Sequence, residues 1–565
     1  MYKHDLVIRG GTVYDGQGGA GVTADVGIVD GRIAEVGRIS AKGLREIDAS
    51  GAIVTPGFVD IHTHYDGQAT WSNRLHPSSH HGVTTVVMGN CGVGFAPCRE
   101  QDRGLLIELM EGVEDIPGAA LHEGLSWAWE SFPEYLHYLA QRHYDMDIAA
   151  QLPHAALRVF VMGERGANRE AATAEDIEQM RRLTAEAIES GAIGFSSSRT
   201  LNHRSSKGAP TPSLSAEAAE LMGICEGMRD AAGGVIEMIS DFEDLQSEFD
   251  TLEQMVSVSG RPMSISLAQG INPQGWRKLL AKIAQANCSG VTIRGQVAPR
   301  AIGILMGNTT TLNPFSTRPS YEEVARLPLT EKIRALNDGA RKRKILAQQP
   351  SAGFARLFNS MANGQRVWEL GDPPDYEPRP EDSANARATA SGQDVWEYIY
   401  DRLLSNDGNV LFYVPFANYA ENNLDCCREM MLSDHTVMGL GDGGAHVGTI
   451  CDASFTTSLL CHWGRDRQRG ERIPLGRLIE AQTRDTARSV GLEDRGVLAP
   501  GMRADINIID FDKLTPHAPY MVYDLPLGGG RLEQRADGYI ATLVHGELTY
   551  EHGEATDALP GRLIR

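Results

Sequence analysis

Two histidines one residue apart, His62 and His64, close the apolar run Gly57-Phe-Val-Asp-Ile-His-Thr-His. In an extended chain residues i and i+2 face the same way, so both imidazoles project together. A pair of neutral imidazoles suits a borderline-soft divalent cation, zinc foremost. Two polar residues closing any strand look the same. The pair gains weight from ending the first of a series of apolar runs, where the active sites of one large fold class lie. A second element, Gly441-Asp442-Gly-Gly-Ala-His446, follows the last of those runs. Asp-Gly-Gly alone is a turn signature. Beside a cation, however, Asp442 can act both as a ligand and as the group that takes a proton from water.

The elements that must hold these residues alternate along the chain. Strand-like runs at 58–62, 84–88, 148–152, 192–195, 235–239, 263–267, 291–294 and 437–440 are separated by amphipathic stretches. One of these, 174–190, carries Ile177, Met180, Leu183, Ala187 and Ile188 at helical spacing. Eight βα units predict a closed (β/α)8 barrel over 57–486, an α/β fold of the TIM type, with the site at the C-terminal ends of its strands. Residues 1–56 and 487–565 have another texture, short strands joined by turns such as Asp30-Gly31. Neither end can bury a core alone, which predicts one small β-sandwich built from both. The stretch from about 300 to 430 is too long for one connection and contains the Pro-rich piece 371–382. An insertion of that size covers the mouth of a barrel site or makes an oligomer contact, and the first is expected here.

Other polar residues near strand ends are candidates for gripping a substrate. His154 follows the third strand, Arg199 and His203 the fourth, and Arg294 ends the seventh. The arginines have the fork that pairs with a carboxylate, and they are equally ordinary as loop anchors. His154 and His446 are candidate donors to a developing oxyanion.

Bulk properties exclude several classes. Of 565 residues, 42% are hydrophobic and 22% charged, ordinary for a globular chain. A net charge of −21 argues against nucleic acid and anionic membranes as partners. No basic segment followed by an apolar stretch opens the chain, and no apolar run is long enough to cross a bilayer. Eight scattered cysteines without a Cys-x2-Cys pair fit reduced thiols in a cytoplasm. A homo-oligomer is left open.

The opening Asp5-Leu-Val-Ile-Arg-Gly-Gly-Thr-Val-Tyr-Asp-Gly, the Pro56-Gly57-Phe-Val-Asp-Ile-His-Thr-His run and Gly496-Val-Leu-Ala-Pro-Gly501 with Ala504-Asp505 resemble the amidohydrolase superfamily. Thr84-Thr-Val-Val-Met-Gly-Asn-Cys91-Gly and the tail Leu559-Pro-Gly-Arg-Leu-Ile-Arg565 resemble its D-aminoacylase branch. The resemblance implies hydrolysis of an N-acyl amino acid, or of a related N-acyl amine, by metal-activated water. It also implies that His62, His64, Asp442 and Cys91 hold zinc, with Asp442 as the catalytic proton carrier. The alternatives are another linear amide, such as a fatty or aryl N-acyl amide, and an inactive scaffold. The chain departs from the family at strands five and six, which lack the expected histidines, and at strand four, which lacks the lysine of hydantoinase-like relatives. One zinc per chain is therefore favoured over two. Glu237 occupies the place of the strand-five histidine and is a further candidate ligand.

Overall fold

The computed structural model of the 565-residue chain describes residues 3–270, 272–349, 361 and 364–565. Its centre is an eight-stranded parallel sheet, β1 (Phe58–Asp60), β2 (Val83–Met88), β3 (Asp147–Pro153), β4 (Gly194–Arg199), β5 (Val235–Ser240), β6 (Met263–Ser266), β7 (Ile293–Val297) and β8 (Thr436–Met438), paired in chain order. The strands are apolar runs because they are covered on both faces: all six residues of β2 and all seven of β3 are buried. Between them run helices such as Ala174–Glu189, which starts at a capping box in which Thr173 and Asp176 satisfy each other's backbone N–H groups.

The barrel closes just beyond the ends of β1 and β8. Thr63 bridges Gly443 in parallel, His64 N–H donates to the Gly443 carbonyl at 2.7 Å, and Asp442 N–H to the His62 carbonyl at 2.9 Å. Gly441 is required at this seam, since a Cβ there would lie 2.2 Å from Asp60 Oδ2.

All eight expected runs are strands. The fourth and the seventh each start two residues late: they were expected at 192–195 and 291–294 and form at Gly194–Arg199 and Ile293–Val297. Arg294 therefore sits near the start of β7 rather than at its end.

The two chain ends share one nine-stranded sheet with a core of its own, built from Leu6, Ile8, Val26, Val54, Ile506 and Leu543 among others. Strand Ile53–Pro56 pairs antiparallel with Ile506–Ile509, which joins the ends. The tail returns to the barrel beside β3, with Ile564 N–H donating to the Ile148 carbonyl. Residues 302–417 contain a three-stranded antiparallel sheet, Ile302–Met306, Phe412–Ala417 and Trp368–Glu369, packed with helices around Met306, Phe315, Ile399 and Tyr400. Among the described residues no helix is long and apolar enough to cross a membrane.

Candidate metal centre

The closure seam carries the two histidines and the aspartate to one point. His62 Nε2 lies 3.3 Å from Asp442 Oδ1 and 3.4 Å from Cys91 Sγ, and His64 Nε2 lies 3.7 Å from the same Asp442 oxygen. Ligand atoms of His62, His64 and Cys91 all fall within 4.8 Å of one another. For zinc with bonds of about 2.0–2.3 Å, the edges of a tetrahedron are about 3.3–3.6 Å. The two separations from His62 Nε2 match such edges, and the one between His64 Nε2 and Asp442 Oδ1 is slightly longer.

The tautomer is fixed from behind. His62 Nδ1 is 2.7 Å from Gln296 Oε1, and an amide oxygen can only accept, so the proton sits on Nδ1 and Nε2 keeps its lone pair for a cation. Gln296 is held in turn by donating to Ser264 Oγ at 2.7 Å, and Gly439 leaves room for it. Behind His64 stands the buried Glu114, with Oε1 3.2 Å from Nδ1 and Oε2 3.8 Å from His446 Nε2. Gln296 and Glu114 escaped sequence reasoning. Glu114 ends the helix Arg103–Glu114, an element without a motif.

Cys91 and Asp442 have φ of 55° and 48°, the left-handed region that non-glycine residues avoid. Such strain costs on the order of 1–3 kcal/mol per residue and collects at functional sites. Cys91 is held there by its backbone N–H donating to Glu237 Oε2 at 2.8 Å. Glu237 Oε1 has no hydrogen-bond partner among the described residues and lies 4.0 Å from His62 Nδ1. That nitrogen is already engaged by Gln296, so Glu237 stands beside the donor set.

The electrostatics call for a cation. Burial pushes Glu237 up to about 7, with the Asp442 charge adding to it. Burial, with a contribution from Asp442, also takes Asp60 to about 7 and drives Glu114 well above the usual carboxylate range. The Cys91 thiol is pushed well up by burial and then by Glu237, Glu114 and Asp442. Among the described residues no lysine or arginine forms an ion pair with Asp60, Glu114, Glu237 or Asp442. A divalent ion supplies the missing charge and ionises the thiol. The donor set and its orphaned oxygens therefore fit a zinc-type ion.

The remaining candidates divide. His203 belongs to the mouth: burial, together with the nearby charges of His446 and His62, lowers it to about 3, while Ser198 Oγ lies 2.9 Å from its Nδ1. His446 faces Glu114 with its side chain 26% exposed. The structure corrects three expectations. His154 is wholly buried, with Nδ1 against Ser197 at 2.8 Å and Nε2 against Glu220 at 2.9 Å, so it braces the wall and has no nitrogen to offer a substrate. Arg199 is held by both oxygens of Glu248 and by the Ala216 carbonyl. Arg294 is exposed at the far end of the barrel, bonded to the Asp434 carbonyl.

The profile of the amidohydrolase family matches residues 45–550. The chain belongs to the amidohydrolase family. An N-acyl-D-glutamate deacylase of Alcaligenes xylosoxydans xylosoxydans is 28% identical over 579 residues, spanning 100% of this chain and 97% of that protein. Two solved structures share the fold. A D-aminoacylase with a binuclear metal centre superposes with a TM-score of 0.66 at 24% identity over 99% of both chains. The N-acyl-D-glutamate deacylase of Bordetella bronchiseptica, bound to zinc and a phosphonate mimic of the tetrahedral intermediate, gives 0.65 at 23% identity over 100% of both.

Proposed function

We propose that this amidohydrolase is an N-acyl amino acid deacylase that uses one zinc ion held by His62, His64, Cys91 and Asp442. The observation that carries the reading is that His62 Nε2 lies 3.3 Å from Asp442 Oδ1 and 3.4 Å from Cys91 Sγ, with His64 Nε2 3.7 Å from the same Asp442 oxygen. The whole-length likeness to an N-acyl-D-glutamate deacylase supports the substrate class, and N-acyl-D-amino acids are the first compounds to assay. A single ion is favoured because β5 and β6 bring Glu237 and Ser264, and no histidine, to this end of the barrel. A bound zinc supplies a Lewis acid that polarises the amide carbonyl and acidifies water.

Asp442 is the proton carrier in this reading. Its side chain is 16% exposed, against 1% for those of His62 and His64, so it alone of the three meets both the donor set and incoming water. It takes the proton from the attacking water and returns it to the departing amine, which leaves only when protonated. In this reading His446 is the donor to the carbonyl oxygen, with His203 beside it as a further polar group for the substrate. The insertion leans on the same mouth: Leu305 N–H donates to Thr449 and Thr311 N–H to Gly448, just after Asp442, which supports its role as a cover. Eight unpaired cysteines fit a cytoplasmic setting.

Asp442→Asn keeps the shape and removes the base. Turnover of N-acyl-D-amino acids in the zinc-loaded variant should fall on the order of 10²–10⁴-fold. Near-normal turnover with full zinc would move the base elsewhere, Glu237 first.

A further inference from the structure

We infer that the chain carries a second divalent-metal site, formed by His76, His80 and Glu533, on the far side of the Asp442 turn from the catalytic donors. The inference is independent of the substrate proposed above. Ligand atoms of the three residues lie within 4.8 Å of one another. His76 precedes the short helical turn Ser78–His81 and His80 lies within it, and their rings face each other with centroids 4.2 Å apart. Glu533 ends the strand Gly529–Glu533 in the C-terminal part of the chain.

The neighbouring histidine provides the contrast. His81 places Nδ1 2.8 Å from Thr457 Oγ1 and Nε2 3.0 Å from the Gln534 carbonyl, so both of its nitrogens are engaged. His76 and His80 have no side-chain hydrogen bond among the described residues, and His76 Nδ1 is buried without a partner. Tyr550 walls the pair, its ring edge-on to both. A ring that only filled this space would be served better by phenylalanine, because a buried nitrogen such as His76 Nδ1 forfeits its hydration without gaining a partner. Burial holds both imidazoles neutral, His76 at about 3, so their lone pairs are available at neutral pH.

The charges permit a cation. Arg531 lies 3.0 Å from Glu533 Oε2, but it is also gripped by both oxygens of Asp524, so two carboxylates face one guanidinium. Arg535 is paired with Glu554, and Arg74 lies over the Tyr550 ring. Glu533 Oε1 accepts one backbone N–H, from Gln534, and a carboxylate has about four lone-pair positions, so it can still bind a metal. Two neutral imidazoles and one carboxylate suit zinc, copper or nickel, and the set contains no sulfur. Such an ion would pin the Gly529–Glu533 strand to the loop entering β2. His76, Asp442 and Arg531 line one narrow cavity of about 20 Å³, which places this pin beside the catalytic turn.

The test counts zinc by mass spectrometry after equilibrium dialysis of the full chain. Wild type should hold one more ion per chain than His80→Phe, which keeps a ring against Tyr550. In a His62→Ala/His64→Ala variant one ion should remain, its X-ray absorption showing nitrogen and oxygen neighbours without sulfur. Equal counts in wild type and His80→Phe, or a remaining ion bound to sulfur, overturn the site. If His80→Phe does not fold, Glu533→Gln decides: zinc should bind there at least tenfold more weakly, and an unchanged Kd rejects the proposal.

Discussion

Two groups of buried carboxylates behave in opposite ways. At the barrel mouth Glu114, Glu237 and Asp60 are driven upward by burial, and among the described residues they have no arginine or lysine in an ion pair and leave Glu114 Oε2 and Glu237 Oε1 without a hydrogen bond. At the seam between the insertion and the helical segment Leu459–Asp466, Glu377 is also buried, and desolvation alone would raise it. Hydrogen bonds from His462, Arg467 and the Leu424 N–H outweigh that cost and bring it to about 2. One region has supplied its own cation; the other is organised around a cation that comes from outside. Burial of an acid therefore does not mark a functional site by itself. The absence of an internal countercharge does.

The largest expected effect comes from removing that outside cation. Chelation, or His64→Ala, should remove the zinc of the barrel mouth and lower turnover by at least about 10³-fold, since both the Lewis acid and the acidified water are lost. Re-addition of zinc should restore activity to the chelated wild type only. The proton balance sharpens the comparison. Glu237 and Asp60 titrate near 7 in the zinc-free fold and near 4 when unfolded, so the fold binds more protons than the unfolded chain in that window. Stability of the zinc-free protein should therefore fall as pH rises from about 4 through 7, and the gain in Tm on adding zinc should grow over the same range. Calorimetry in buffers of different ionisation enthalpy should record protons released on zinc binding at pH 7. A flat Tm profile with no proton release would remove the mouth from the comparison.

The next effect is at the seam. Glu377→Gln leaves Arg467 buried, but Asp425 remains 2.6 Å from it, so the loss belongs at the lower end of the range for broken buried pairs, about 3 kcal/mol in denaturant unfolding. The sign with pH is opposite to that of the mouth. Glu377 lies below its ordinary 4.5, so its contribution is complete above that value and disappears as pH falls toward 2. Loss of protection in residues 368–379 between pH 4.5 and 2, followed by hydrogen exchange, would show the insertion letting go. Unchanged protection across that range would mean that Glu377 does not hold it.

The sequence exposed the barrel and half of the site for a physical reason. Strands buried on both faces are written as apolar runs, and His62, His64 and Asp442 follow directly from the ends of two of them. Partners contributed by distant elements left no such trace. Glu220, which occupies His154, lies on a helix 66 positions further along, and Glu114 ends a helix whose pattern records only its buried face. The seventh strand misled because Val291-Thr-Ile reads as its core, whereas the strand begins at Ile293 and runs through Gly295 and Gln296, a pair with the look of a turn. That two-residue displacement put Arg294 in the mouth and hid Gln296.

The same displacement defines the smallest effect. Arg294 and Gln296 are two residues apart on β7, point to the same face of the strand, and are separated along the strand by roughly 7 Å. Arg294 is exposed and bonds the Asp434 carbonyl, whereas Gln296 is buried and fixes the proton of His62 on Nδ1. Gln296→Leu removes that acceptor with little change in volume. The ring can then turn or shift its proton to Nε2, where it would block the metal, and the loss of such an outer partner typically costs about 10–100-fold in metal affinity. Zinc Kd should rise by that factor, while turnover at saturating zinc falls less, because the donors themselves remain. Arg294→Ala should leave both within about twofold, as substitutions away from buried features usually do. A Gln296→Leu variant with wild-type zinc affinity would mean that the His62 tautomer is held by some other group, with Glu237 Oε1, 4.0 Å from the same nitrogen, the nearest carboxylate able to replace it.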